Sequence, residues 1–132
     1  MAKTNSKEIR SMVTNDGNIE LSIKTSEIPT PLADEVIIKV EAAPINPSDL
    51  GLLISFAADI SSISTTGSRD EAKTTIKIHP ALIGAMKPRL DQSMQVGNEG
   101  AGVVIDSGEN VKDLIGKTVG LAGGAMYSQY RC

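Results

Sequence analysis

Two short stretches carry residue types able to do chemistry. Asn46-Pro47-Ser48-Asp49 sets an amide, a hydroxyl and a carboxylate within four residues. Gly97-Asn98-Glu99-Gly100-Ala101-Gly102 places three glycines in six residues around an amide and a carboxylate. The first stretch reads as a helix cap, with Asn46 opening a turn and Ser48 or Asp49 accepting amide hydrogen bonds, or as the same groups offered to a ligand. In the second, Glu99 is either a structural acceptor for nearby amides or a group in a cleft. A dinucleotide fingerprint runs Gly-x-Gly-x-x-Gly from a strand into a helix, whereas here the order is Gly-x-x-Gly-x-Gly and the next residues, VVIDSG, are strand-like. Glycines that permit close backbone packing or a bulge in a barrel are therefore expected, rather than a phosphate loop. His79 has no second histidine and no nearby cysteine, so it is expected at the surface and not at a metal.

These stretches need elements to hold them. Ile9–Val13 and Ile19–Lys24 flank Asn15-Asp16-Gly17-Asn18, whose members tolerate positive φ, and the pattern predicts a β-hairpin. The run Glu35–Ala43 alternates, with Val36, Ile38, Val40 and Ala42 on one side and Lys39 and Glu41 on the other. That strand delivers the chain to Asn46, and a short apolar helix from about Leu50 to Phe56 is expected after Ser48 or Asp49. From Ala57 to Gln95 the pattern loosens into Ser/Thr-rich sequence, then TTIKI, then HPALIGAMKPRL. There Leu82, Ile83, Met86 and Leu90 recur at helical spacing, and Pro88 makes the helix short or kinked. Gly102–Asp106, Thr118–Ala122 and Met126–Arg131 are expected as strands between glycine-bearing turns. Short strands with one or two small helices favour a β-rich barrel.

Composition limits the partners. With 132 residues the chain has the size of one ordinary domain, and 40% hydrophobic with 22% charged residues is a globular balance. Phe56, Tyr127 and Tyr130 are the aromatic side chains and the net charge is -3, so neither base stacking nor a polyanion surface is on offer. No nucleic-acid partner is expected. Cys132 is the single cysteine, which fits a reducing compartment such as the cytoplasm, and no apolar run approaches the ~18 residues of a membrane span.

DEVIIKVEAAPINPSDL, with VGNEGAGVVIDSGENVKDLIGKTVGLAGGAMYSQY later in the chain, resembles the N-terminal GroES-like domain of the medium-chain dehydrogenase/reductase superfamily. The zinc-independent quinone oxidoreductase and enoyl reductase branch of these alcohol dehydrogenase-like proteins is the nearest in look. The resemblance covers most of the chain outside 57–95. It implies a mainly β fold with short helices, a partly open β-barrel whose cleft faces a Rossmann domain holding NADPH. In zinc-dependent relatives the first turn carries a metal-binding cysteine and a relay hydroxyl, and the glycine run carries a histidine followed by glutamate. Here Asn46 stands at the cysteine position and Asn98 at the histidine position, while Ser48 and Glu99 keep the other two. Neutral amides are poor zinc ligands, so no zinc is expected.

The resemblance then implies reduction of a quinone or other conjugated carbonyl without zinc. Asn46 and Ser48 are the expected catalytic hydrogen-bond donors, with Asp49, Phe56, Asn98, Glu99 and Tyr127 lining the substrate or cofactor cleft. A homo-oligomer is expected. Three departures qualify the resemblance. Enoyl reductases place a proton-donating tyrosine where this chain has Phe56 and Ala57, which sets quinones and enones ahead of enoyl thioesters. Residues 57–95 form a longer segment than relatives carry, read as an insertion that is a lid, a specificity element, a solvated elaboration or an oligomer contact. The chain stops at Cys132, where the family continues into its Rossmann domain, so a fragment of a longer enzyme is expected; the alternative is a non-catalytic, co-chaperonin-like binding barrel sharing only the fold.

Overall fold

The hairpin predicted around Asn15-Asp16-Gly17-Asn18 forms and is longer than its apolar residues alone indicate. In the computed structural model, which describes residues 4–132, strand β1 spans Asn5–Val13 and β2 spans Asn18–Glu27. Gly17 takes φ +76°, and the turn closes through Thr14 N–H to Asn18 C=O at 2.9 Å and Gly17 N–H to Thr14 C=O at 3.0 Å. A left-handed residue suits glycine at this point.

The fold is mainly β with short helices, as two antiparallel sheets that are not closed. The chain divides into two compact units.

One unit comprises Ile9–Lys24 and Ile45–Val96. Its sheet adds β4 (Ser64–Thr66), β5 (Lys73–Lys77) and β6 (Met94–Gln95) in the order β4-β5-β2-β1-β6. Part of the 57–95 segment, expected as a lid, a specificity element, a solvated elaboration or an oligomer contact, is built into this sheet and its core. β5 pairs with β2 from Asn18↔Lys77 to Ser22↔Lys73, which sets Ile19 directly against Ile76. The core is Val13, Ile19, Ala57, Ile76, Ile78 and Met86, so four of its six members come from that segment. A Ser/Thr-rich stretch hid this because its apolar residues alternate only briefly, Ile76 within β5 and Ile78 just beyond it, too short a run to stand out in the sequence. The predicted helix at HPALIGAMKPRL is broken into a 3-10 turn at Pro80–Leu82, the four-residue helix α2 (Ile83–Met86) and a second 3-10 turn at Lys87–Arg89. Pro88 has no N–H to continue the ladder.

The other unit comprises, among the described residues, 4–8 with Thr25–Pro44 and Gly97–Cys132. β3 (Val36–Ala42), β7 (Glu99–Ser107), β8 (Thr118–Ala122) and β9 (Tyr130–Arg131) form a sheet in the order β8-β7-β3-β9. β8 has the bounds read from sequence; β9 is shorter. The one-sided burial expected from alternation in β3 fails, since the successive residues Ile37 and Ile38 are both buried. The β3–β7 register also shifts there, Ile37 facing Asp106 and Ile38 facing Val104, so that Ile105 of β7 is the extra residue. No helix among the described residues is long and apolar enough to cross a membrane.

Candidate functional site

The Asn46–Asp49 turn opens helix α1, which spans Pro47–Leu53 rather than Leu50–Phe56. Asn46 is the N-cap, with extended φ/ψ of -90° and 158°, and Pro47 occupies the first helical turn, where its missing N–H costs nothing. The Asp49 carboxylate accepts the Asn46 backbone N–H at 2.7 Å, while the Asp49 N–H donates to the Asn46 carbonyl at 2.9 Å. Asp49 is 1% exposed, so its charge is spent on the turn rather than shown to solvent. Asn46 is half-buried and Ser48 exposed, which leaves them at the open surface of the turn.

Beyond α1 the chain reverses at Ser55, a residue at φ +61° that is held by its own hydroxyl accepting the Ala57 N–H at 3.2 Å. This reversal sends Ala57 into the core and leaves Phe56 outside at 77% exposure.

The glycine run is explained by neighbours. At Gly102 an added Cβ would stand 2.1 Å from the Lys39 carbonyl oxygen, and at Gly100 2.9 Å from the Ala42 oxygen. At Gly97, with φ +96°, it would meet the Tyr127 backbone nitrogen at 2.6 Å. The three glycines let β3 and the Met126–Tyr127 segment lie against the run, which continues as strand β7 and not as a helix. The pyrophosphate of a dinucleotide finds no helix N-terminus there, so these residues do not fit that group.

Asn98 and Glu99 are exposed, the Asn98 carbonyl accepting the Gly123 N–H at 2.7 Å. The Tyr127 hydroxyl donates to the Pro44 carbonyl at 2.9 Å and so holds the chain just where it leaves β3. Glu99 borders an open groove of about 530 Å3 in the same unit, whose lining includes Ala42, Pro44, Ala101, Gly120 and Ala122. Gly120 pairs with Ala101 and Ala122 with Glu99, so small side chains keep that face of the sheet low. Sequence reading missed the groove; its signal was the run of small residues in GLAGG.

The seven predicted site residues therefore divide: Asn46, Ser48, Asp49 and Phe56 in one unit, Asn98, Glu99 and Tyr127 in the other. Among the described residues no three His, Cys, Asp or Glu side chains gather in a group able to hold a metal ion.

No protein-family model matches the chain, and no curated protein matches it. Its fold is similar to that of a Bacillus thuringiensis protein described as an NADPH:quinone reductase, with a TM-score of 0.58 over 96% of this chain at 23% identity. A Mesorhizobium loti protein described in the same terms gives a TM-score of 0.52 over 98% of this chain at 20% identity. The likeness is one of fold. The chain spans 30% and 34% of the length of those two proteins.

Proposed function

We propose that the chain is the substrate-side, GroES-like domain of an NAD(P)H-dependent oxidoreductase that reduces a quinone or other conjugated carbonyl without zinc. The observation that carries this reading is the Asn46–Ser48 turn, set at the open end of α1 within a fold shared with part of two NADPH:quinone reductases. Residues 57–95 are an insertion within that domain. The reductant's pyrophosphate is assigned to no group in this chain. The proposed substrate is a small molecule, the compartment is the cytoplasm and the enzyme is a homo-oligomer.

In this reading Asn46 and Ser48 donate hydrogen bonds to the carbonyl oxygen, which gains negative charge as the conjugated system is reduced. Their backbone is fixed before substrate arrives, since the Asp49 carboxylate grips the Asn46 N–H. Donors already in place need no reorganisation as the charge develops, and that is where their rate advantage lies. Ser48 also has a proton to give; Asn46 has none to spare and acts only by donation. Phe56, in the same unit as the two donors, is proposed to line the space around the substrate.

The test is steady-state reduction of a quinone by the protein that contains this chain. Asn46→Ala and Ser48→Ala should each lower kcat on the order of 10²-fold with little change in KM, as expected for groups that act mainly in the transition state. Folded variants that keep full turnover would show that the two residues only shape the turn.

A further inference from the structure

Helix α1 has seven residues, about two turns, and a helix of that length does not hold its own direction. Its unit must do so. At the C-terminal end of α1 the carbonyls of Gly51 and Leu52 lie in the last turn, where no intrahelical N–H reaches them. Both are taken by Arg89: Nη1 donates to the Gly51 oxygen at 3.0 Å, and Nη2 donates to the Leu52 oxygen at 3.3 Å. Nη2 also donates to Ser11 Oγ at 3.1 Å, and that hydroxyl, wholly buried in β1, donates in turn to the Leu52 oxygen at 2.5 Å. A cation at a helix C-terminus also meets the negative end of the helix dipole.

Arg89 is itself anchored. Leu90 bridges to Val13, the Asp91 N–H donates to the Val13 carbonyl at 2.8 Å, and Arg10 Nη1 donates to the Ser93 carbonyl at 3.1 Å, so the backbone around Arg89 is laced to β1. The guanidinium Nε is buried with no hydrogen-bond partner, and burial holds the group below the ordinary arginine pKa. A side chain on the surface for solubility would keep Nε in water. This one gives up that bond to bring both Nη atoms onto the end of α1.

We propose that Arg89 is a positioning residue: by gripping the last-turn carbonyls of α1 from a turn laced to β1, it sets the direction in which the opposite end of the helix presents Asn46 and Ser48. The inference rests on the reading of those two residues as the carbonyl-binding donors. It also gives the end of the 57–95 segment a role in the site.

Hydrogen exchange measured by NMR on Arg89→Met and Arg89→Lys tests the positioning, and does not depend on any enzymatic activity. The amides of Asp49, Ile54 and Ser55 report on α1, since they donate to Asn46 or Leu50; those of Ile78 and Asp59, which donate to Gly17 and Lys77, report on the β2–β5 region. In Arg89→Met the α1 amides should exchange about 10-fold faster or more, with Ile78 and Asp59 within about 2-fold of the parent. Guanidinium ion, added well below denaturing concentration, should slow the α1 amides again. Exchange that rises equally in both groups, or in neither, overturns the proposal. Should Arg89→Met not fold, Arg89→Lys is read by the same rule, because an ammonium cannot span both carbonyls and Ser11. In quinone reduction Arg89→Lys should lower kcat while KM stays within about 2-fold. Undiminished kcat alongside faster α1 exchange also overturns the proposal, whereas a parent protein that reduces no quinone removes the reading of Asn46 and Ser48 and leaves the exchange rates to judge Arg89.

Discussion

At the scale of single residues, Gly102 shows how tightly β3 lies on β7. The two nearest atoms a Cβ would meet there are backbone, the oxygen and carbon of Lys39 at 2.1 and 2.8 Å, and backbone within a sheet cannot step aside. Gly102→Ala should therefore destabilise the protein by about 1–3 kcal/mol, measured by urea denaturation. Gly120→Ala is the matched control: nothing lies within 4 Å of its added Cβ, and its stability should stay within about 0.5 kcal/mol of the parent. Equal losses at both positions would mean that the β3–β7 approach is not the cause. Asp59 offers a test of electrostatics. Its carboxyl is held below the ordinary value of 3.8, first by the hydrogen bond from the Ser61 hydroxyl at 2.6 Å, with the Ser61 N–H, His79 and Lys77 adding to it against a desolvation penalty. A depressed carboxyl contributes stability above its unfolded pKa and loses it as pH falls through the folded one. The window is thus below about pH 4. Ser61→Ala should raise the Asp59 midpoint in a carboxyl NMR titration; an unmoved midpoint would remove the hydroxyl as the main cause.

At the scale of elements, the pairing of β5 with β2 decides what the 57–95 segment is. Ile76 is 1% exposed and faces Ile19, whereas Ile60, in the 3-10 turn Ile60–Ser62 of the same segment, is 54% exposed. Ile76→Ala should cost about 2–5 kcal/mol, read from chemical denaturation, through lost burial and the cavity left behind. Ile60→Ala should change stability by no more than about 0.5 kcal/mol. A segment that merely covered a cleft would give small values at both. Helix α1 illustrates a different kind of dependence. It starts at Pro47 rather than near Leu50: Ser48 and Asp49 are good caps by type, yet Pro47 belongs in a first turn, and the chain resolves the conflict by capping with Asn46 and using Asp49 from inside the helix. Both choices are locally sound. The strand before the turn separates them, since it ends at Ala42 and leaves Asn46 extended.

At the scale of the whole molecule, the β-rich class, the hairpin, β8 and the role of the glycine run are legible in the sequence, because each depends on neighbours in the chain. Alternation, turn chemistry and the order of the glycines are local signals, and local sterics enforce them. The position of Asn46, in a turn reached from a strand, is legible in the same way. The rest depends on tertiary structure. Whether Ile76 is core or surface depends on β2, more than fifty residues earlier in the chain, and no periodicity within a five-residue strand carries that information. That Ile37 and Ile38 are both buried depends on what covers the strand in the fold, which alternation along β3 does not carry. The roles of Tyr127 and Arg89 are the furthest from the sequence, for each acts on a carbonyl: Tyr127 on Pro44, 83 residues away, and Arg89 on Gly51, 38 residues away. A backbone carbonyl has no residue type, so the partner of a side chain that binds one cannot be read from the letters. Only the fold brings the two together.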